Sequence, residues 1–234
     1  MSPFLGELVG TAILLTLGNG VVANVILNKT KGNSSGWIVI TLGWAIAVFV
    51  GVYISANSSG AHLNPAVTIA LAISGKFAWQ DVPTYFLGQF LGGCISSFLV
   101  WVSYIQHFDA TNDKQTTLGV YATIPAIKDA KWNFLSECIA TFVFVLAILF
   151  IAKPASSLGS LDALPVALLV LGIGLSLGGT TGYAINPVRD FAPRFMHAIM
   201  PIKGKGDSDW SYAWIPVLGP FVGGALAAVV FGLL

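Results

Sequence analysis

Charge is scarce in this 234-residue chain. Asp, Glu, Lys and Arg make up 9% of it and hydrophobic residues 56%, against roughly 25% charged in an ordinary soluble domain. A soluble globule so short of charge could not cover its own surface, so lipid must cover much of this one. The 11 basic and 10 acidic residues nearly cancel, which leaves no basic face for nucleic acid. Cysteine is scarcer still: Cys94 and Cys138 lie far apart in apolar runs and read as small core residues, not as a disulfide framework or metal knuckle. No His, Cys or carboxylate cluster has metal-ligand spacing, and no nucleophile stands beside a base, so neither a cofactor nor a catalytic site is expected. A basic leader is also missing. The first apolar stretch begins almost at Met1 and is too long for a cleavable signal peptide.

What the chain has in abundance is long apolar runs. Crossing a bilayer takes about 20 helical residues, because the hydrocarbon is about 30 Å thick and each residue rises about 1.5 Å. Six windows qualify, at roughly 4–27, 37–57, 83–105, 133–152, 163–180 and 212–234. Four carry no Asp, Glu, Lys or Arg; the first and fourth each carry one glutamate, Glu7 and Glu137. Backbone in lipid must be satisfied internally, and these runs do not alternate as barrel strands would, so they are expected to be helices. Two further stretches, from Asn64 to Ser74 and from Asn186 to about Ile199, are too short to span. Each opens on Asn-Pro. Asparagine is a strong N-cap and proline suits the first turn, where its missing N–H goes unneeded. Each is predicted to be a half-length helix beginning abruptly in mid-membrane, which is tolerated only around a cavity.

The two halves of the chain repeat one another. Gly60-Ala-His-Leu-Asn-Pro-Ala-Val aligns with Gly182-Tyr-Ala-Ile-Asn-Pro-Val-Arg, Glu7-x-x-x-Thr11 with Glu137-x-x-x-Thr141, and Gly88-Gln-Phe-Leu-Gly-Gly93 with Gly219-Pro-Phe-Val-Gly-Gly224. Each half holds three spanning helices, an odd number, so the second copy enters the membrane inverted. The half-helices then enter from opposite faces and meet near the middle. The fold class expected is an all-α membrane protein with six transmembrane helices, two re-entrant half-helices and an inverted internal repeat. It forms one channel domain over 1–234, with a first repeat at about 1–108, a polar connecting loop at about 109–131 and a second repeat at about 132–234.

With both Asn-Pro boxes in inverted halves, Asn64-Pro65-Ala66 and Asn186-Pro187-Val188, the sequence resembles the major intrinsic proteins, the aquaporins and aquaglyceroporins. The resemblance covers essentially the whole chain. As N-caps, Asn64 and Asn186 accept a backbone N–H with the side-chain oxygen, which turns both amide groups outward as donors at one point of the pore. The two positive helix ends behind them oppose cations and protons. Arg189 is costly within a membrane segment, by about 2.5–3.5 kcal/mol or more at mid-bilayer, and so marks a pathway. Its repeat mate is Val67, and that of Tyr183 is Ala61. The resemblance implies a selectivity filter of Trp44, Gly174, Tyr183 and Arg189, by their offsets from the Asn-Pro boxes. Glycerol facilitators have Trp, Gly, Phe and Arg there. Water-only members place His at the glycine position, so Gly174 implies a wider pore. Tyr183 in place of Phe adds a hydroxyl, and Val188 in place of alanine adds bulk beside the constriction.

Supporting positions complete the reading. Glu7 and Glu137, related by the repeat, are expected to accept hydrogen bonds from irregular backbone ahead of each half-helix, with proton relay the alternative. In the family the residue at His62 turns its carbonyl to the pore, leaving the imidazole a minor or gating role. Asp190 after Arg189 resembles the glycerol-conducting branch, or is a counter-ion. The motifs Gly88-x-x-x-Gly92 and Gly219-x-x-x-Gly223 permit close helix approach, expected between the third and sixth spanning helices.

The function expected is a passive channel for small neutral solutes: glycerol and water, with dihydroxyacetone, urea or protonated small acids such as lactic acid as further candidates, and with ions and protons excluded. Two alternatives stand: a water-selective aquaporin and an inverted-repeat secondary transporter. The expected partners are neutral solutes and the lipid bilayer. The compact loops and lack of targeting sequences point to the inner membrane of a bacterium, and the resemblance implies a homotetramer. Its topology puts Lys29, Lys31, Lys114, Lys128 and Lys131 outside and only Lys76 and Lys153 clearly inside, against the positive-inside tendency; the repeat motifs are the more specific guide.

Overall fold

The computed structural model describes residues 1–151 and 159–234, so Lys153 and the last residue of the fourth apolar window lie outside the described residues. Helices α1 (Pro3–Ile26), α2 (Trp37–Ser59), α4 (Val82–Asp109), α6 (Ala130–Phe150) and α9 (Trp214–Leu233) are long and apolar enough to cross a membrane. Between them fall the half-helices α3 (Pro65–Ile73) and α8 (Pro187–Ile199), a short α5 (Lys114–Gly119) and α7 (Leu164–Ser176). No strand occurs among the described residues.

Burial runs opposite to that of a soluble protein. Ile38, Ile46, Ile139, Leu168 and Leu226 are each more than half exposed, while Glu7, Gln89, Glu137, Asp190 and Arg194 are wholly buried. Many apolar side chains therefore face outward to hydrocarbon, and these charged and amide groups gather inside, where each has a partner. The chain is a multi-pass membrane protein.

Two elements differ from expectation. The window predicted at 163–180 becomes a 13-residue helix, preceded by a 3-10 turn at Gly159–Ala163. Gly178 and Gly179 favour leaving the helix there, and Gly178 yields its side-chain space to an aromatic ring: a Cβ on it would lie 2.4 Å from Tyr183 Cδ1. The connecting loop is also less open than predicted. Helix α4 continues to Asp109, and Asp113 then caps α5 by accepting from the Thr116 amide at 2.8 Å.

The glycine motifs need a correction. The glycines of α4 and α9 do not seat against each other. In α4, a Cβ on Gly88 would lie 2.9 Å from the Phe4 carbonyl oxygen and one on Gly92 2.5 Å from that of Leu8, both in α1. In α9, a Cβ on Gly219 would lie 2.7 Å from Glu137 Cβ and one on Gly223 2.3 Å from the Cys138 carbonyl oxygen, both in α6. The following glycines seat the half-helices. Gly93 touches Ala192 of α8, and Gly224 lies against Ala66 of α3. Each half thus packs its first spanning helix against its third, with the half-helix of the other repeat laid on the third. The repeat alone cannot say which helix a glycine face meets; three-dimensional order decides it.

Substitutions separate tight seams from open ones. Gly223→Ala should destabilise the fold by about 1–3 kcal/mol through overpacking. Gly20→Ala, where a Cβ meets nothing within 4 Å, should stabilise it by up to about 1 kcal/mol through helix propensity. Thermal unfolding of the detergent-solubilised variants should show midpoints moving in opposite directions; parallel shifts would refute the seam.

Candidate functional site: a pore built on two opposed half-helices

The segments leading into the half-helices have backbone that few sequences adopt. Ala61 (φ 54°), Leu63 (φ 51°), Tyr183 (φ 38°) and Ile185 (φ 44°) all sit in the left-handed region although none is glycine. Such residues cost of order 1–3 kcal/mol each and persist only where the surroundings over-determine them. The two buried glutamates do so. Glu7 Oε1 accepts from Ser59 Oγ at 2.6 Å and the His62 amide at 3.0 Å, and Oε2 accepts from the Leu63 amide and Gln89 Nε2, both at 2.7 Å. Glu137 Oε1 accepts from Thr181 Oγ1 at 2.6 Å and the Ala184 amide at 2.9 Å, and Oε2 accepts from the Ile185 amide at 3.0 Å. With the N–H groups drawn to one side, the carbonyls turn to the other. Those of residues 60–62 and 182–184 accept no hydrogen bond among the described residues, and Gly60, Ala61, His62, Tyr183 and Ala184 line a cavity of about 180 Å³.

The half-helices begin where these segments end. Asn64 Oδ1 accepts from the Ala66 amide at 2.9 Å, and Asn186 Oδ1 from the Val188 and Arg189 amides at 3.1 and 3.3 Å. Pro65 and Pro187 open the two helices. Both amide groups act as donors, and each spends one hydrogen on the opposing segment. Asn64 Nδ2 donates to the Ile185 carbonyl and Asn186 Nδ2 to the Leu63 carbonyl, each at 2.8 Å. Every cap is thereby tied to the last turn of backbone before the opposing cap. An NH2 group has two hydrogens, so one remains on each side for the cavity. Ala66 and Val188 are buried behind the junction, Val188 near Gly93 of α4.

The cavity has two chemically different sides. Trp44, Val48 and Val52 on α2, Val166 and Val170 on α7, and Phe144 and Ile148 on α6 supply an apolar wall. Asn64, Asn186, the open carbonyls and Arg189 supply a polar stripe. Of the predicted filter residues, Trp44, Tyr183 and Arg189 line the cavity and Gly174 stands behind them. The Arg189 guanidinium carbon lies 4.3 Å from the centre of the Trp44 ring, and Nη1 donates to the Tyr121 carbonyl at 3.1 Å. Its Nε and Nη2 donate to no described residue. Gly174 lies against the Tyr183 ring, with a Cβ there meeting Tyr183 Cζ at 3.0 Å. The space that the missing side chain was expected to open is therefore taken by the tyrosine.

Asp190 does not pair with Arg189. It forms a fully buried ion pair with Arg194, Nε to Oδ1 at 2.7 Å and Nη2 to Oδ2 at 3.0 Å. Asp190 Oδ2 also accepts from Thr123 N and Oγ1, and Arg194 donates to the carbonyls of Thr123, Ser208 and Asp209. This pair fastens the connecting loop and the loop after α8 to the half-helix, and so sets the Tyr121 carbonyl over Arg189. Sequence reading missed Tyr121, Thr123 and Arg194. Arg194, a second arginine one turn beyond Asp190, was the one legible signal. His62 lines the cavity, while its Nδ1 meets Thr68 Oγ1 at 3.1 Å and its ring packs on Phe77 and Tyr85.

Comparison with known proteins adds independent findings. The family model described as Major intrinsic protein matches residues 1–231. The chain is 53% identical to the Glycerol uptake facilitator protein of Streptococcus pneumoniae strain R6, over 100% of this chain and 99% of that one. It is 52% identical to Glycerol uptake facilitator protein 3 of Lactiplantibacillus plantarum, over 98% and 95%. Among solved structures, the aquaglyceroporin from Plasmodium falciparum matches with a TM-score of 0.86 and 33% identity, covering 97% of this chain and 93% of that one.

The buried ion pair is open to a direct test. Asp190→Ala leaves Arg194 buried without its partner and should cost about 3–5 kcal/mol. Lys128→Ala breaks the exposed Lys128–Asp209 pair and should cost less than about 1 kcal/mol. Denaturant unfolding of both variants checks the contrast; comparable losses would mean that the loops are not fastened through Asp190.

Proposed function

The chain belongs to the major intrinsic protein family, and on that premise we propose that it conducts glycerol and water passively through the cavity between its half-helices. Its class is a membrane channel and not an enzyme. The observation that carries the solute reading is the two-sided cavity. One wall is apolar and suits a carbon backbone, while the facing stripe of carbonyls, two amide N–H groups and a guanidinium suits hydroxyls. Glycerol has both faces. Two relatives identical over half their residues bear the name glycerol uptake facilitator, which supports the same solute.

Each group has a role in this reading. Asn64 and Asn186 turn the oxygen of each passing molecule toward themselves, so a chain of waters cannot keep one donor direction through the junction. The N-terminal ends of α3 and α8 place positive potential at the same point, opposing protons and cations. Trp44, Gly174, Tyr183 and Arg189 form the filter. A single Arg189 beside an apolar wall gives carboxylate anions no multi-site path, so small acids such as lactic acid pass only when protonated, a form that dominates only below roughly pH 4. Glu7 and Glu137 hold backbone and do not relay protons: their oxygens are occupied by amide, hydroxyl and side-chain amide donors. The homotetramer is inferred from the family alone.

Proteoliposomes decide between the readings. Under an inward glycerol gradient, vesicles holding the protein should shrink and reswell faster than protein-free ones, with no saturation and no dependence on a proton or sodium gradient. Water flow without glycerol flow would indicate the water-selective alternative, and gradient dependence a secondary transporter. Trp44→His should lower the glycerol-to-water permeability ratio several-fold, and Arg189→Val should admit measurable ion or proton current; pores unchanged in both respects would remove these residues from the filter.

A further inference from the structure

Trp44 owes its place to a residue of another helix. Its ring lines the cavity, and the benzo edge of that ring reaches across from α2 to α1, where it rests on the buried Gly18. A Cβ on Gly18 would lie 2.5 Å from Trp44 Cη2, 2.6 Å from Cε3 and closer still to Cζ3. One edge of the ring therefore fills the volume that any side chain at position 18 would need. Arg189 bounds the ring from elsewhere, with its guanidinium carbon 4.3 Å from the ring centre. A tryptophan ring is rigid and turns on only two torsions, so an added methyl group has to move the ring as a whole. Glycine inside a helix costs about 1 kcal/mol against alanine, and at position 18 the ring is what it makes room for. Gly20, on the same helix, meets nothing within 4 Å.

The second repeat fills the corresponding positions differently. The residue that stands to Glu137 as Gly18 stands to Glu7 is Ile148, and the one that stands to Asn186 as Trp44 stands to Asn64 is Val166. Both line the cavity. The first half thus joins the smallest residue to the largest where the second half has two of middle size. We propose that Gly18 is a specificity-determining position: it sets how much of the lumen beside Arg189 the Trp44 ring takes up, and so how wide a solute passes. This rests on the channel reading above and deepens it. Gly18 touches no solute and acts through Trp44. A methyl group at position 18 pushes the ring off α1, and the open space beside that ring is the cavity. Glycerol is wider than water, so a ring moved into the lumen obstructs glycerol first.

Gly18→Ala tests this seat, with Gly20→Ala as the control. Glycerol and water permeabilities are measured by stopped-flow light scattering in proteoliposomes, with the protein-free rates subtracted; their ratio does not depend on how many pores reconstitute. The glycerol-to-water ratio should fall about 10-fold in Gly18→Ala, the lower end of what one methylene is worth in a fitted pocket, and keep its wild-type value in Gly20→Ala. Trp44→Phe removes the benzo edge and supplies a second background. There Gly18→Ala should leave the ratio of the Phe variant unchanged, the non-additivity expected of residues in contact. A wild-type ratio in Gly18→Ala, or an equal fall on both backgrounds or in Gly20→Ala, overturns the proposal. Where Gly18→Ala does not reconstitute, the double variant with Trp44→Phe should, because the colliding edge is gone; failure of both gives Gly18 a role in helix packing alone and overturns the proposal too. Wild-type vesicles no faster to glycerol than protein-free ones would instead overturn the glycerol reading on which it rests.

Discussion

The structure depends on holding irregular backbone open in the middle of a membrane. Lipid offers no hydrogen bonds, so a peptide segment there survives only if its N–H groups are satisfied by protein. Glu7 and Glu137 do this, each taking two backbone amides of the segment before a half-helix. Because each carboxylate draws the last two amides before its Asn cap to one side, the preceding carbonyls are left on the other, facing a cavity. The left-handed residues are the backbone conformation that this one-sidedness requires. A neutral apolar side chain at position 7 or 137 would leave those amides unpaired, and the polar stripe would have nothing to hold it.

The asparagines extend the same principle from one half to the other. Each caps its own helix and also donates to the carbonyl that precedes the opposing cap. Neither half-helix can shift without breaking a bond made by the other, so the junction is fixed in both position and angle. Two N-termini pointing at one place repel electrostatically; the reciprocal bonds and the glycine seats of Gly93 and Gly224 hold them there. The positive potential at mid-membrane, which opposes cations, is thus a by-product of the joint itself.

Much of this was legible in the sequence. Apolar runs gave five of the six spans to within a few residues, because length and hydropathy decide whether a segment enters lipid. The half-helices could be found from Asn-Pro, since capping is local chemistry. The partners of the glycines could not. A glycine face announces that something comes close without saying what, and the third and sixth helices in fact meet α1 and α6. The loop contacts were also hidden, because the carbonyls of Tyr121 and Thr123 do their work through the backbone, which leaves no mark in side-chain identity. Asp190 was visible and ambiguous: its neighbour in sequence is Arg189, but helix geometry turns it toward Arg194 four residues on, as expected of side chains one turn apart.

On the proposed channel reading, departures from the internal symmetry are where discrimination resides. An ideal inverted repeat would present the same surface to a solute entering from either face, and nothing in it would prefer one solute edge to another. The chain keeps the symmetry where backbone is held, at Glu7 and Glu137, Ser59 and Thr181, Asn64 and Asn186. It breaks it at positions that line the cavity: Arg189 against Val67, and Tyr183 against Ala61. The supports are constrained twice over by the same geometry, so they remain alike. The cavity positions carry no such double constraint, and volume there is conserved locally: Gly174 and Gly178 give up the space that Tyr183 occupies. A cavity wall built in this way can change its width and its polarity by exchanging side chains between neighbouring helices, without moving the frame that carries them.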